Sequence, residues 1–367
     1  MPLKWKKVWV SDERYESATV FDVNNDGILD IVSGAFWYEG PDFKKKHFIG
    51  NVRAEGEYYD DFSTIPIDVN GDGFIDFITG GWWGGKLVWK ENPKGDPNKT
   101  WTEHIIDYTG NIESTRAWDI DGDGKLEIFP NTPCTRDVKY YKLQQKKNQE
   151  KHFEKITVFE FQEGKIQGHG LGVGDISGNG KLDIVLSKGW LERANFSSNE
   201  NWIWHEEFDF GFNNASVPII VADVNQDGLN DIIAGNAHGY GLIWLEQQKD
   251  NKGNRSWIKH HIDPFNAQYH DMIWIDIDGD GENELLTGKR HRAHCGNDPG
   301  EYDNLGIYYF KWTGEGFSKQ IIDYGPIGLG GKGCGIHFAV ADLRGRGVLD
   351  IIAPGKDGLY IYYNEGF

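Results

Sequence analysis

Short runs of branched apolar residues recur along the whole chain, and polar turns separate them. Each run follows an acidic turn that contains glycine, a pattern typical of short strands leaving tight turns. No amphipathic helical pattern of ten residues occurs, so the pattern predicts an all-β protein. The runs are Ile31-Val32, Phe77-Ile78, Ile184-Val185, Ile232-Ile233, Leu285-Leu286 and Ile351-Ile352.

The acidic turn is a nonapeptide that occurs seven times, on average about every 53 residues, close to the repeat length of β-propeller blades. One copy per blade predicts seven blades. The copies span 22–30, 68–76, 119–127, 175–183, 223–231, 276–284 and, in degenerate form, 342–350.

Each repeat has room for four short strands, with strand A before the acidic turn, strand B after it, and strands C and D further out. A D-like segment, Trp5 to Val10, precedes the first turn, and the chain ends just after the seventh strand C. We therefore expect the N-terminal strand to complete the last blade, which closes the ring and removes open sheet edges. Although 367 residues favour two domains on length alone, the repeat predicts one seven-bladed β-propeller over residues 1–367.

The acidic turns have the oxygen spacing of a calcium loop, with side chains at positions 1, 3, 5 and 9 and a glycine at position 6. Five good copies predict several structural Ca²⁺ sites, which would offset much of the net charge of −19. The alternative is a set of hydrogen-bonded turns without metal. The predicted ligands are Asp22, Asn24, Asp26, Asp30, Asp68, Asn70, Asp72, Asp76, Asp119, Asp121, Asp123, Glu127, Asp223, Asn225, Asp227, Asp231, Asp276, Asp278, Asp280 and Glu284.

Two copies of the turn depart from this pattern. The fourth has Ser177 and Asn179 at two ligand positions, and the seventh has Arg344 and Arg346. We expect a guanidinium in the seventh turn to pair with its aspartates and to replace the ion.

The net charge of −19 argues against a nucleic-acid partner and against docking on anionic lipid, both of which need a basic surface. No apolar run is long enough to span a membrane. The three cysteines are widely spaced and fit neither a disulfide framework nor a C-x-x-C zinc site. They are most simply thiols, although one pair could be bridged.

Strands A and B are antiparallel, so the start of A and the end of B share the blade end opposite the acidic turns. With strand A innermost, six histidines approach this face: His169, His238, His270, His291, His294 and His337. The other six lie on outer strands, where we expect solvated edge residues: His47, His104, His152, His205, His260 and His261. Polar neighbours expected on the same inner face are Glu16, Asp61, Glu113, Arg116, Lys188, Tyr240, Tyr269, Lys289, Arg290 and Lys356.

Such a cluster supports two kinds of chemistry. Three neutral imidazoles, with or without a carboxylate, can bind Zn²⁺ or a similar divalent ion. Alternatively His and Tyr act as base and acid while Arg and Lys neutralise an oxyanion. The candidate catalytic residues are His169, His238, His270, Tyr240, Arg116, Lys188, Lys289, Arg290, His294 and His337. Trp37, Trp82, Trp83 and Trp190 could stack on sugar rings, and paired carboxylates for glycoside hydrolysis rank lower.

The seven turns resemble the FG-GAP or VCBS repeats of integrin-type propellers, which implies the propeller fold but no single function. Segments 168–172, 236–241 and 288–294 resemble the propeller of aldos-2-ulose dehydratases and are similar to propeller polysaccharide lyases acting on rhamnose–glucuronate linkages. That resemblance implies metal-assisted elimination on a sugar at the channel mouth, and carries over to His169, His238, His270, His294 and Lys289.

We therefore expect a carbohydrate lyase or dehydratase that performs β-elimination on an oligo- or polysaccharide containing a uronate or keto sugar. The alternatives are a non-catalytic sugar-binding propeller and a protein-binding adhesion module. The polar face is richer in blades four to seven than in blades one to three, which favours a single central site. No signal peptide occurs in this sequence, and calcium turns without cysteine pairs favour a periplasmic or secreted protein.

Overall fold

The computed structural model describes residues 2–144, 151–194 and 202–367, and these contain strands and turns but no helix. The strands form seven four-stranded antiparallel sheets and one small hairpin. The chain is a seven-bladed β-propeller, which confirms the predicted fold class. Within the described ranges, no helix is long and apolar enough to cross a membrane.

Blades 1 to 3 take the strands from the centre outward in chain order. Blade 1 contains β2 (Thr19–Phe21), β3 (Asp30–Ser33), β4 (Phe36–Glu39) and β5 (Lys45–Phe48). A hairpin of β6 (Ala54–Glu55) and β7 (Tyr58–Tyr59) follows. Blade 2 contains β8 (Ile65–Ile67), β9 (Asp76–Gly80), β10 (Leu87–Glu91) and β11 (Thr102–Asp107). Blade 3 contains β12 (Ser114–Trp118), β13 (Glu127–Asn131), β14 (Asp137–Gln144) and β15 (His152–Glu160).

Blades 4 to 6 repeat this arrangement. Blade 4 contains β16 (Leu171–Gly174), β17 (Asp183–Leu186), β18 (Gly189–Arg193) and β19 (Trp202–His205). Blade 5 contains β20 (Ile220–Ala222), β21 (Asp231–Gly235), β22 (Tyr240–Lys249) and β23 (Arg255–Ala267). Blade 6 contains β24 (Tyr269–Ile275), β25 (Glu284–Lys289), β26 (Leu305–Trp312) and β27 (Phe317–Gly325).

The last blade is built from both ends of the chain. It contains β28 (Ala339–Ala341), β29 (Asp350–Ala353), β30 (Leu359–Asn364) and, on its outer edge, β1 (Trp5–Ser11). Strands β1 and β30 are antiparallel, with Trp5 opposite Asn364. The predicted closure of the ring by the N-terminal strand is therefore present, and it pairs an edge that would otherwise be open.

The first strand of each blade lies innermost. Strand β2 contacts β28 and β8, and β20 contacts β16 and β24, so first strands of neighbouring blades touch one another around the central channel. The apolar core lies between blades; one cluster joins Val185 and Trp190 of blade 4 to Ile232 and Ile243 of blade 5. This packing fixes the start of every inner strand, which is where the candidate site lies.

The outer histidines differ from the expectation of solvated edge residues. In four blades the imidazole stacks on a tryptophan of the adjacent strand, with ring centroids 4.1 to 4.4 Å apart, and its Nε2 lies 2.7 to 3.0 Å from a glutamate. Because this contact covers two of the tryptophans offered as sugar platforms, Trp37 and Trp190, they are buried and unavailable to a ligand. The four sets are Trp37-His47-Glu39, Trp89-His104-Glu91, Trp190-His205-Glu192 and Trp244-His260-Glu246.

The acidic turns are closed by their own hydrogen bonds. In all seven, the first aspartate accepts from the amide of the glycine at position 6, at 2.6 to 3.1 Å. In the seventh turn, Arg344 binds Asp350 at 2.9 Å, as expected, whereas Asp342 accepts from backbone amides instead of a guanidinium. All three cysteines are free thiols.

Lysines occupy two of the acidic turns, a feature that the sequence analysis missed. Lys142 of β14 contacts Asp121, Asp123 and Glu127 of the third turn. Lys311 of β26 makes the equivalent contacts with Asp278, Asp280 and Glu284 of the sixth. Only these two good copies carry Glu instead of Asp at position 9. An ammonium group thus lies where the sequence predicts a calcium ion.

Candidate metal centre and active site

Four consecutive blades each bring one metal-ligating side chain to the mouth of the channel. Glu113 precedes β12, His169 precedes β16, His238 lies between β21 and β22, and His270 is in β24. All four are buried, and one potential ligand atom from each lies within 4.8 Å of the others. We call these four residues the tetrad.

Two imidazole nitrogens of the tetrad face each other. His169 Nε2 lies 3.2 Å from His238 Nε2 and 3.3 Å from Glu113 Oε1, while His270 Nε2 lies 2.8 Å from the same oxygen. Ligands on a tetrahedral zinc ion with bonds of about 2.0–2.1 Å are about 3.3 Å apart. Two of the three distances match that spacing closely.

The outer hydrogen bonds decide which nitrogens carry protons. His169 Nδ1 donates to the carbonyl of Ala215 at 2.6 Å, and His238 Nδ1 donates to Asp298 at 3.0 Å. In the neutral form each ring therefore points a bare electron pair of Nε2 at the other. This arrangement is repulsive unless a cation lies between them, and such outer partners are typical of metal-bound histidines.

The electrostatics favour neutral imidazoles at His238 and His270 and an ionised carboxylate at Glu113. Burial lowers the pKa of His238 to about 4, and burial together with Arg290 holds the pKa of His270 well below its usual value. Burial alone would raise the pKa of Glu113, but His169 and His270 hold it well below its ordinary range. Neutral imidazoles and an ionised carboxylate are the forms that bind metal. His270 Nε2 donates to Glu113, so to bind an ion through Nε2 this ring would have to carry its proton on Nδ1, which has no hydrogen-bond partner within the described residues.

A glycine allows blades 4 and 5 to approach closely enough for this geometry. Gly170 has φ of +134°, and a Cβ there would lie 2.8 Å from Cβ of Ala215. Because no side chain is present, Ala215 can come close and its carbonyl can orient His169.

A cavity of about 460 Å³ opens above the tetrad. Lys188 is exposed at its rim, and His294 stacks on His238 with ring centroids 3.9 Å apart. His294 Nδ1 lies 2.8 Å from Asp298, which leaves its Nε2 as the free basic nitrogen. The aromatic side chains lining the cavity are Trp82, Phe161 and Trp204.

Several candidate residues are held elsewhere by structural contacts. Lys289 is buried and donates to the carbonyls of Gly300, Glu301 and Asp303. Tyr240 donates to Asp303 at 2.6 Å, and the buried Tyr269 donates to Asp263 at 2.7 Å. None of the three lines the cavity, so their positions do not fit the expected roles in substrate binding and acid catalysis.

Two further candidates lie deeper in the channel. Arg116 is buried and binds Asp271 at 2.7 Å, and it also donates to the carbonyls of Val217 and Ile336. His337 Nδ1 accepts from the amide of Thr64 at 3.1 Å. Arg116 and His337 line a separate cavity together with Asp271, so both lie outside the proposed site. His291, the remaining inner-face histidine, is outside the tetrad as well.

Arg290 supports the tetrad from behind. It binds Glu16 at 2.9 Å, and its Nη1 lies 3.6 Å from Glu113; Lys356 also binds Glu16, at 2.8 Å. Burial would raise the pKa of Glu16, but Arg290 and Lys356 hold it at about 2. Arg290 thus links Glu16 to the Glu113 side of the tetrad.

The buried ion pairs of Glu16 should make the stability of the fold depend on pH. Because the folded-state pKa of Glu16 is below its ordinary value of 4.5, its contribution is present above pH 4.5 and is lost as the pH falls towards 2. Urea unfolding should therefore give a lower free energy of unfolding for Glu16→Gln than for wild type at pH 7. At pH 3 the difference between the two proteins should be smaller by about 2 kcal/mol. A difference that is the same at both pH values would contradict this assignment.

Segments 68–129 and 223–287 match the family described as FG-GAP-like repeat, and each contains two acidic turns. No match to an individually curated protein was found.

Solved structures resemble this propeller only in fold. Candidate 6-phosphogluconolactonases from Bacteroides uniformis and Bacteroides fragilis are 10% and 13% identical, with TM-scores of 0.47 and 0.45. Each alignment covers 95% of this chain, and 91% and 95% of those chains. BBS1N, solved in complex with ARL6DN, is 8% identical with a TM-score of 0.50 and coverage of 98% and 97%. These neighbours do not confirm the resemblance to dehydratases or lyases.

Proposed function

We propose that this protein is a metal-dependent carbohydrate lyase or dehydratase. The observation that carries the proposal is the tetrad, which points two bare imidazole nitrogens and a carboxylate at one position beneath an open cavity. A bound divalent ion such as Zn²⁺ would supply Lewis acidity towards a carboxylate or carbonyl oxygen of the sugar.

The residues of the chain have separate roles in this proposal. Lys188 at the rim binds the acidic group of the substrate, and Trp82, Phe161 and Trp204 offer apolar faces for sugar rings. His294 Nε2 removes the proton next to the polarised group. The electron pair of that C–H bond forms the new C=C bond, and the β-oxygen leaves with the C–O pair and takes a proton from water.

An ultraviolet assay for new conjugated double bonds tests the proposal. Uronate-containing oligosaccharides and keto sugars, offered with Zn²⁺, should give a rising absorbance, because elimination conjugates the new double bond with the carboxylate or carbonyl. His169→Ala should abolish the rise, and His294→Ala should lower kcat about 10²- to 10⁴-fold, the range expected for losing a general base.

His152→Ala is the matched control, because His152 is an exposed histidine on the outer strand β15. It should keep full activity. Saturable sugar binding without any absorbance change would contradict the lyase and favour the sugar-binding alternative, which the aromatic lining also fits.

We also propose that the acidic turns beginning at Asp22, Asp68 and Asp223 bind structural Ca²⁺, whereas lysines compete for the ion in the third and sixth turns. Removing those ammonium groups leaves uncompensated carboxylates, so Lys142→Met with Lys311→Met should bind two more Ca²⁺ per chain than wild type. Calcium titration calorimetry, together with melting curves in Ca²⁺ and in a chelator, measures this. An unchanged stoichiometry would contradict the proposed competition.

A further inference from the structure

A second cavity, of about 420 Å³, lies at the junction of blades 1 and 2. Its walls come from the turn after β3, from strands β9 to β11, and from the connecting segments 51–53 and 60–61. No member of the tetrad lines it. Its volume is within the range of small-molecule sites, about 300–1,000 Å³.

Two buried polar atoms in this cavity lack partners. Asp61 Oδ1 and Thr79 Oγ1 form no hydrogen bond within the described part of the chain, and both side chains belong to residues only 4% exposed. An unsatisfied buried polar group costs about 1–3 kcal/mol. Because burial raises the pKa of Asp61 well above its usual value, its carboxyl group can both donate and accept hydrogen bonds. These atoms suit the hydroxyl groups of a ligand.

Two lysines of the same cavity pair with one carboxylate. Lys86 and Lys90 bind the two oxygens of one carboxylate, Glu103, so two ammonium groups share a single negative charge. Lys90 is 7% exposed, and Arg53 also lines the cavity. The oxygens of Asp60 accept from the amides of Trp83 and Gly84. One ligand carboxylate would balance the lysine pair.

We propose that this cavity is a binding site for a small polyhydroxylated monocarboxylate of the hexuronate class. Its carboxylate contacts Lys90 and Lys86, and its hydroxyl groups pair with Asp61 and Thr79. Phe77 and Val88 provide apolar wall for the ring. The site would bind such a ligand whether or not the tetrad holds metal.

The two cavities are neighbours across one short loop. Gly81 and Gly84 line the hexuronate cavity, whereas Trp82, between them, lines the cavity above the tetrad. An acidic ligand bound at blades 1 and 2 therefore lies next to the proposed active site but does not use its residues.

The test measures D-glucuronate binding by calorimetry and by saturation-transfer NMR, with D-glucose as the neutral control. It uses the His169→Ala/His238→Ala background, so that the tetrad cannot contribute and failure of the proposed function does not affect the result. We expect saturable glucuronate binding with glucose much weaker, because only the acid pairs with the lysines.

Two variants locate the ligand. Lys90→Met should weaken glucuronate binding by at least about 10-fold, the effect of losing one charged hydrogen bond. Thr79→Val, which keeps the side-chain size, should weaken glucuronate binding by about 5-fold. This second variant tests the site even if Lys90→Met fails to fold. Lys44→Met, which removes an exposed lysine that lies outside both cavities and pairs with Asp42, should leave binding unchanged. Absence of saturable binding, or a loss with Lys44→Met and none with Thr79→Val, would overturn the proposal.

Discussion

The protein should bind one Zn²⁺ per chain at the tetrad, and His169→Ala/His238→Ala should lose this ion. The two nitrogens face each other at 3.2 Å, and in the neutral rings their outer hydrogen bonds place the protons on Nδ1, so a cation between the nitrogens would relieve the repulsion of two lone pairs. Removing both histidines leaves Glu113 and His270 as the remaining ligands, and we expect the affinity for Zn²⁺ to fall by more than about 10³-fold. Zinc titration in a competing chelator measures the change.

Asp298→Asn should weaken zinc binding less than the loss of the two histidines does. This residue contacts the tetrad only through His238 and orients its ring, and outer partners of this kind typically contribute about 10- to 100-fold to metal affinity. Zinc affinity should therefore fall by that amount, with the melting temperature little changed. Equal zinc binding by wild type and the double histidine variant would show that the ion lies elsewhere.

Arg116→Met should destabilise the fold by about 3–5 kcal/mol, the usual cost of breaking a buried ion pair by removing one partner. Arg116 crosses the channel from blade 3 to Asp271 of blade 6 and donates to carbonyls before blades 5 and 7. Its loss leaves the buried carboxylate of Asp271 without its cation, although two backbone amides still donate to it, and removes the donor to three carbonyls. Urea unfolding of the purified variant measures the free energy.

A double variant separates the charge from the packing. In Arg116→Met/Asp271→Asn no uncompensated charge remains, so a large part of the lost stability should return. If the two single changes simply add, the ion pair does not link the blades, and Arg116 would again be open to a role in binding.

The fold could be predicted because it repeats. Each acidic nonapeptide fixes one A–B hairpin, and the seven copies count the blades. The D-like segment from Trp5 to Val10 also indicated how the ring closes. What the repeat could not give was side-chain pairing across strands. The lysines in two acidic turns come from strand C, and their only sequence signal is the glutamate at position 9 in those turns.

The candidate site was harder to predict. The positions of His169, His238 and His270 relative to the strands indicate that all three lie on the same face. The direction that a long side chain takes depends on its neighbours, which the strand position does not show. Lys289 and Tyr240 turn to the loop of Gly300 to Asp303 instead. Glu113 sits at the expected strand position and joins the histidines. Asp298 lies in an irregular loop, where no repeat indicates which way a side chain points.

One measurement tests the metal centre most directly: anomalous diffraction at the zinc absorption edge from crystals grown with Zn²⁺. We predict one strong peak within about 2.3 Å of Glu113, His169, His238 and His270, at ordinary zinc bond lengths. A map with no peak among these four side chains, or with peaks only at the acidic turns, would contradict the proposed metal centre.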